Sequence, residues 1–146
     1  MNNIIKIHDL INDKSKLINI FDILNQLTDS PLIEYENLIK IINNLNNNHL
    51  IFVYLLDNIP VALITLFIEQ KLIHGGKCVG HIEDLVVDNK YTGKGIASKL
   101  INHCLEICKN NNCYKTILDC DEKLLQFYEN NEFKQQGICM RNSYKF

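Results

Sequence analysis

Residues 80–97, GHIEDLVVDNKYTGKGIA, join an apolar run to a glycine-containing turn, and the turn leads into a helical pattern. The first backbone N–H groups of a helix have no partner within it, and the helix dipole adds partial positive charge there. A phosphate group is well accommodated in that position, and Gly93 and Gly95 let the backbone approach it closely. The glycine spacing fits neither a Walker A loop nor a dinucleotide fingerprint, so a glycine turn without a ligand stays an alternative.

The segments downstream of this junction alternate between helix and strand patterns. Residues 93–110 place apolar side chains at helical spacing, which is the strongest helix signal in the chain. A strand over 115–120, a helix over 122–130 and a last strand over 137–144 are expected to follow. Asp121 is a candidate cap for the helix that it precedes.

The N-terminal third predicts a short strand and two helices. Residues 3–7 alternate as a strand does, and apolar residues recur at helical spacing until about Thr28. Ser30 followed by Pro31 is typical of an N-cap and a proline in the first helical turn. We therefore expect the second helix to begin there.

The middle of the chain predicts a meander of three strands. Residues 49–56 and 61–69 are rich in β-branched and aromatic side chains, and Asp57-Asn58 between them indicates a hairpin turn. Residues 78–87 form the third run. The resulting order of elements predicts one mixed α/β (α+β) domain over residues 1–146, with a central sheet and helices on its faces.

The composition excludes several classes of protein. The 146 residues are 47% hydrophobic with a net charge of −2, so the chain can bury a core and lacks the positive charge that nucleic-acid or membrane-surface binding requires. No secretory signal pattern opens the sequence, which favours a cytoplasmic location. The six cysteines form no metal-binding spacing, so we expect no metal and reduced thiols.

Several segments resemble one family of enzymes. Residues 92–97, TGKGIA, match the pyrophosphate-loop pattern Gln/Arg-x-x-Gly-x-Gly/Ala of the Gcn5-related N-acetyltransferases (GNAT) except at the first position. GHIED at 80–84, CYKTILDCDE at 113–122 and FYE at 127–129 resemble segments of the eukaryotic glucosamine 6-phosphate N-acetyltransferases at matching spacing. KLIH at 71–74 and residues 24–28 are also similar, so the resemblance covers nearly the whole chain.

The resemblance implies a fold and a reaction. The fold is the GNAT fold, a central mixed, mostly antiparallel sheet flanked by helices on both faces. Acetyl-CoA, the co-substrate, gives its acetyl group by direct attack to the 2-amine of D-glucosamine 6-phosphate, on the route to UDP-N-acetylglucosamine. The partners implied are a small amino-sugar phosphate and a second copy of the chain, with no nucleic acid and no membrane.

The resemblance also implies roles for individual residues. Tyr128 is the general acid for the leaving thiolate, although an aromatic residue in a short helix is more often part of the core. Glu83 and Asp84 orient the amine and hydroxyls, but adjacent strand residues face opposite sides unless the strand is bulged. Asp119 contacts the amine or only caps a helix. The coenzyme-binding set is Leu85, Val86, Val87, Gly93, Lys94, Gly95, Ile96, Ala97, Ser98 and Tyr128.

The substrate-binding set implied by the resemblance draws on distant segments. Arg141, the only arginine, is a candidate for the phosphate, as is Lys145, because Ser143 stands where the family has an arginine that reaches in from the partner subunit. Two further departures are Thr92, at the first position of the loop, and Glu132, before Phe133. The set comprises Thr28, Lys71, Leu72, Ile73, His74, Glu83, Asp84, Tyr114, Lys115, Asp119 and Arg141.

Two other functions stay open at this point. A relative of the same fold could act on a polyamine or a protein amine, which would favour an acidic cleft and leave Lys71 and Lys115 without a role. A non-catalytic module could bind coenzyme A as a sensor or scaffold. The combination of Tyr128 with Glu83 and Asp84 favours an enzyme over that module.

Overall fold

A computed structural model describes residues 3–145 and contains a five-stranded sheet in the order β1-β2-β3-β4-β5. Neighbouring strands from β1 to β4 are antiparallel, and β5 is parallel to β4. The predicted mixed, mostly antiparallel sheet is therefore confirmed. The elements are β1 (Ile4–Lys6), α1 (Lys14–Leu24), α2 (Tyr35–Asn44), β2 (His49–Leu56), β3 (Ile59–Gln70), the short helical turn α3 (Ile73–Gly76), β4 (Cys78–Val87), α4 (Ile96–Asn110), β5 (Cys113–Ile117) and α5 (Leu125–Asn130).

The central hairpin forms where the sequence predicts it. Asp57 and Asn58 join β2 to β3, and both have positive φ, 49° and 64°. A two-residue turn with two left-handed residues matches the twist of the flanking strands, and Asp and Asn tolerate that backbone conformation better than most residues. The hairpin places the almost wholly buried strand β3 at the centre of the sheet.

Helices cover both faces of the sheet, as predicted. On one face, α1 and α2 pack with Leu17, Ile20 and Ile42 against Val53 of β2 and Leu63 of β3. On the other face, α4 packs with its own apolar stripe, which comprises Ile96, Leu100, Ile101, Cys104 and Cys108. Strand β3 contributes Leu63 to the first core and Ile64, Leu66 and Ile68 to the second, so it lies between the two sets of helices.

The second helix begins later than the sequence predicts. Glu34 occupies its N-cap position, whereas the predicted cap Ser30 lies in the preceding loop. The Ser30 N–H donates to Asn25 Oδ1 over 2.8 Å, and the Ser30 hydroxyl donates to the Thr28 carbonyl over 3.0 Å. These local bonds hold Ser30 in a turn, so the prediction of a helix start at Ser30-Pro31 is wrong.

The C-terminal elements also differ from the prediction. Strand β5 ends at Ile117 instead of 120, and a 3-10 turn, Glu122–Leu124, precedes α5. Asp121 occupies the N-cap position of that turn without a side-chain capping bond. No strand forms over 137–144 within the described part of the chain, because these residues pair with no other strand there.

None of the helices between residues 3 and 145 combines the length and the apolar character that crossing a bilayer requires.

Gly80 is required by the contact between β4 and α4. A Cβ atom on Gly80 would overlap Cys108 Sγ and would lie 3.2 Å from Thr116 Oγ1. Gly80→Ala is therefore expected to lower the free energy of unfolding by about 1–3 kcal/mol through overpacking. Urea unfolding measures the loss.

The control for this prediction is the double variant with Cys108→Ala. Removing the sulfur opens the space that the new methyl group needs, so the double variant should lose less stability than the sum of the two single variants. Additive losses would show that the Gly80–Cys108 contact is not the cause.

Candidate active site

A β-bulge sits in the middle of β4. Leu63 pairs with Val86 and Thr65 pairs with Glu83, so one residue of β3 lies opposite both Asp84 and Leu85. Asp84 takes a φ of 51°, a left-handed conformation that is uncommon for a residue with a side chain. The bulge interrupts the alternation of side chains between Glu83 and Asp84. Both residues can therefore contribute to one site, as the sequence analysis required.

Three carboxylates gather beside this bulge. In the parallel ladder His81 pairs with Ile117, so Asp119 follows β5 at the level of Glu83. Partial desolvation and the negative charges of Asp119 and Asp84 raise the pKa of Glu83 above its ordinary value. Such a cluster can accept hydrogen bonds from an amine and from sugar hydroxyls, and it favours a cationic group next to it.

The raised pKa of Glu83 gives a direct prediction. The Glu83 carboxyl group, followed by NMR titration, should bind its proton at a higher pH than an isolated glutamate. In Asp119→Asn the midpoint should fall, because one of the two negative charges that oppose its ionisation is gone.

The control for this titration is Asp9→Asn, at an exposed turn that does not perturb Glu83. An unchanged Glu83 midpoint in Asp119→Asn would show that the two carboxylates do not interact.

A cleft of about 400 Å³ opens between the end of β4, the glycine loop, the N-terminus of α4 and α5. Gly93 and Gly95 have φ of 76° and 74°, and neither would bring a Cβ atom within 4 Å of another group, so the space over the loop is open. Gly95 is the N-cap of α4. The first N–H groups of this helix, those of residues 96–98, are therefore available to an anion.

Tyr128 lines the same cleft from α5. Its ring is 9% exposed and packs edge-on against Phe127 and Phe133 at centroid distances of 5.0 and 5.9 Å. Burial, Cys120 and Asp119 raise the pKa of the Tyr128 hydroxyl, in that order of importance. The hydroxyl thus stays protonated at neutral pH and is able to donate a proton or a hydrogen bond.

Most of the predicted coenzyme-binding residues meet at this cleft. Val86 is different, because its side chain packs on the opposite face of β4 with the α1 core, and Lys94 does not line the cleft either. The sequence interpretation missed Tyr91, Leu124 and Phe127 as lining residues, and it treated Thr92 only as a departure from the family loop. The predicted residues that line the cleft are Leu85, Val87, Gly93, Gly95, Ile96, Ala97, Ser98 and Tyr128.

The predicted substrate-binding residues fall into separate groups. Lys115 pairs with Val79, four residues before Glu83 along β4, which is roughly 13 Å at the rise of a strand. The structure therefore does not bring Lys115 to the carboxylates of its own chain. The same end of the sheet carries Lys71, Leu72, Ile73, His74 and Tyr114, whereas Thr28 lies in the exposed turn after α1 and Arg141 in the exposed C-terminal segment.

The residues at the end of the sheet that carries Lys71 and His74 have their own contacts. Lys71 Nζ lies 2.9 Å from Glu69 Oε1, and His81 Nε2 lies 2.9 Å from the same oxygen. The His74 ring lies 4.2 Å from the Tyr114 ring, centroid to centroid. Both side chains therefore share one half-buried carboxylate, and the hydrogen bonds from Lys71 and His81 lower the pKa of Glu69.

The cysteines offer no metal site in the described residues. No group of three or more potential ligands within residues 3–145 could hold a metal ion, and all six cysteines are free. Burial is the main cause that raises the pKa of both Cys104 and Cys113 to about 12, with Cys108 as a further contribution. These thiols are neutral and serve as small apolar groups.

Comparison with known proteins adds an independent result. The model of the acetyltransferase (GNAT) family matches residues 17–133. The glucosamine 6-phosphate N-acetyltransferase of Trypanosoma brucei brucei is 33% identical over 144 residues, which cover 97% of this chain and 98% of that protein. Glucosamine 6-phosphate N-acetyltransferase 1 of Dictyostelium discoideum is 44% identical over 81 residues, which cover 55% of this chain and 51% of that protein.

A solved structure extends the similarity to the whole fold. The crystal structure of glucosamine-6-phosphate N-acetyltransferase from Arabidopsis thaliana superposes with a TM-score of 0.90 at 29% identity, and the match covers 97% of each chain.

Proposed function

Because this chain belongs to the GNAT family of acetyltransferases, we propose that it transfers the acetyl group of acetyl-CoA to the 2-amine of D-glucosamine 6-phosphate. The products are N-acetyl-D-glucosamine 6-phosphate and coenzyme A. The observation that carries this proposal is that the α4 N-terminus and Tyr128 line one cleft, and that the charge of Asp119 acts both on the Tyr128 hydroxyl and on Glu83. The whole-length similarity to relatives named for this reaction supports the choice of sugar.

The cleft fits a coenzyme that carries a diphosphate. The N–H groups of Ile96, Ala97 and Ser98 would bind the diphosphate, and the open space over Gly93 and Gly95 lets it approach. The apolar side chains of Leu85 and Phe127 would contact the less polar arm of the coenzyme. Thr92 lacks the long side chain of the family loop, but backbone groups supply the cradle, so binding does not depend on that side chain.

The carboxylates and Tyr128 divide the chemistry between them. Glu83, Asp84 and Asp119 hold and orient the amine, whose nitrogen forms a bond to the thioester carbonyl carbon as the carbon–sulfur bond breaks. The nitrogen gives up one proton to solvent water, the leaving sulfur takes one from the Tyr128 hydroxyl, and solvent then returns a proton to Tyr128. No acyl-enzyme is required, and the neutral thiols of Cys104 and Cys113 are unsuited to form one.

A thiol-release assay tests the proposal. Acetyl-CoA is supplied with glucosamine 6-phosphate, glucosamine, spermidine or a lysine peptide, and release of coenzyme A is followed for each. Turnover should be fastest with glucosamine 6-phosphate. The carboxylate cluster also suits a polycation, so faster turnover with spermidine would reassign the acceptor, and coenzyme binding without turnover on any amine would indicate a binding module.

We also propose that the enzyme acts as a homodimer. Phe67, His81 and Ile117 are neighbours across β3, β4 and β5, and this row lies on the face that α4 does not cover. Phe67 and Ile117 are 37% and 40% exposed, and Ile138 and Met140 of the C-terminal segment are 89% and 88% exposed. A second copy would cover this apolar surface, and its C-terminal segment would bring a cation such as Arg141 to the site.

The dimer has a direct test. Sedimentation of the wild-type chain should give twice the mass of one chain, and Phe67→Glu should shift the equilibrium towards the monomer, because the new charge would be buried at the interface. The control is Ile59→Glu, at a residue that is 50% exposed and begins β3 directly after the hairpin turn. A monomeric wild-type chain would overturn the proposal.

A further inference from the structure

One side-chain hydrogen bond joins the turn after α1 to the segment that leads into the glycine loop. The Gln26 Oε1 accepts a hydrogen bond from the Asn89 N–H over 2.8 Å, although 63 positions separate the two residues in the chain. Asn89 begins the 3-10 turn that ends at Tyr91, and Tyr91 and Thr92 line the cleft. Gln26 therefore fixes the turn after α1 beside the entrance to the coenzyme loop.

The segment around Asn89 is held independently of Gln26. The Asp88 N–H donates to the Val61 carbonyl of β3 over 2.8 Å, and the Tyr91 N–H donates to the Asp88 carbonyl over 2.8 Å. The Lys90 N–H donates to Asp88 Oδ1 over 3.0 Å. Loss of the bond to Gln26 would therefore leave the glycine loop and its approach in place.

The turn after α1 is held in a different way. Asn25 Nδ2 donates to the Ser30 carbonyl over 2.9 Å, and the Ser30 N–H donates back to Asn25 Oδ1. These bonds close the turn on itself and on α1, but they do not attach it to the sheet. Within residues 3–145, the bond from Asn89 is the only hydrogen bond that joins residues 25–30 to the segment before the glycine loop.

We propose that Gln26 is a positioning residue for the acceptor. By accepting the Asn89 N–H, it holds the turn that carries Thr28 at a fixed distance from the coenzyme loop, so that the sugar phosphate is bound next to the thioester. This inference rests on the proposed function, because only the resemblance to that family of enzymes implies that Thr28 contacts the sugar phosphate. Other hydrogen bonds hold the segment around Asn89, whereas the turn after α1 is joined to that segment only through Gln26. We therefore expect binding of the acceptor, and not of the coenzyme, to depend on Gln26.

Amide hydrogen exchange tests the bond without any need for activity. Gln26→Met keeps the length of the side chain but loses the amide oxygen, whereas Gln26→Glu keeps an oxygen that accepts the same bond. The Asn89 amide should exchange roughly tenfold faster in Gln26→Met than in the wild-type chain and should remain slow in Gln26→Glu. Equal exchange rates in all three proteins would overturn the bond itself.

Steady-state kinetics test the consequence. Gln26→Met should raise the KM for glucosamine 6-phosphate about fivefold, while kcat, the KM for acetyl-CoA and the melting temperature stay near the wild-type values. Gln26→Glu should restore the wild-type KM. Equal damage in both variants, or a rise confined to the KM for acetyl-CoA, would overturn the positioning role. Failure of the wild-type chain to acetylate this sugar would overturn the proposed function instead, and the exchange of the Asn89 amide would still decide the bond.

Discussion

Gly95→Val is expected to weaken coenzyme A binding roughly a hundredfold or more. Gly95 has a φ of 74° at the N-cap of α4, a conformation that a β-branched residue adopts only with strain. The backbone would have to rearrange where the helix N–H groups must converge on the diphosphate, and the new side chain would occupy the open space over the loop. Calorimetric titration with coenzyme A measures the loss.

Gly75→Val is the matched control for this loss. Gly75 has a φ of 70° and, like Gly95, would place its Cβ atom in open space, but it lies in α3, away from the cleft. Both variants carry the same backbone strain, so a general effect on folding would weaken coenzyme binding in both. If Gly95→Val bound coenzyme A as well as the wild-type chain, the proposed diphosphate site at the glycine loop would be wrong.

Patterns that depend on local geometry could be predicted from the sequence. The Asp57-Asn58 hairpin and the apolar stripe of α4 follow from the conformational preferences of a few neighbouring residues, and both are confirmed. The start of α2 has a strong local signal at Ser30, but the Ser30 hydroxyl donates to the Thr28 carbonyl, and the Asn25 side chain bonds the Ser30 N–H and carbonyl, so Ser30 stays in the loop. Whether a residue caps a helix depends on the other hydrogen bonds open to it, and residue type alone does not show these.

Features that depend on distant partners could not be predicted in the same way. Residues 137–144 alternate as a strand does, but a strand requires a neighbour, and no other strand pairs with them in the described chain. The bulge at Asp84 arises from the pairing of β3 with β4, and no glycine or proline marks it in the sequence. The position of the cleft could therefore be predicted from the glycine turn, whereas the proximity of Glu83 to Asp119 depends on the register of the sheet.

Tyr128→Phe is expected to lower kcat roughly a hundredfold with little change in either KM. The ring is buried against Phe127 and Phe133, so phenylalanine keeps the packing and removes only the hydroxyl. Because the pKa of Tyr128 is raised, the hydroxyl keeps its proton to higher pH than an ordinary tyrosine. Loss of this donor should slow the departure of the thiolate throughout the neutral pH range. Single-turnover measurements separate that step from product release.

Tyr35→Phe is the matched control for the loss of a phenolic hydroxyl. The Tyr35 hydroxyl donates to the Ile11 carbonyl on the face that α1 and α2 cover, so its removal should cost about 1 kcal/mol of stability and leave kcat unchanged. A role in proton donation requires that Tyr128→Phe slow the chemical step while Tyr35→Phe does not. If Tyr128→Phe raised only the KM for acetyl-CoA, Tyr128 would bind the coenzyme and the proton for the leaving sulfur would have to come from another group.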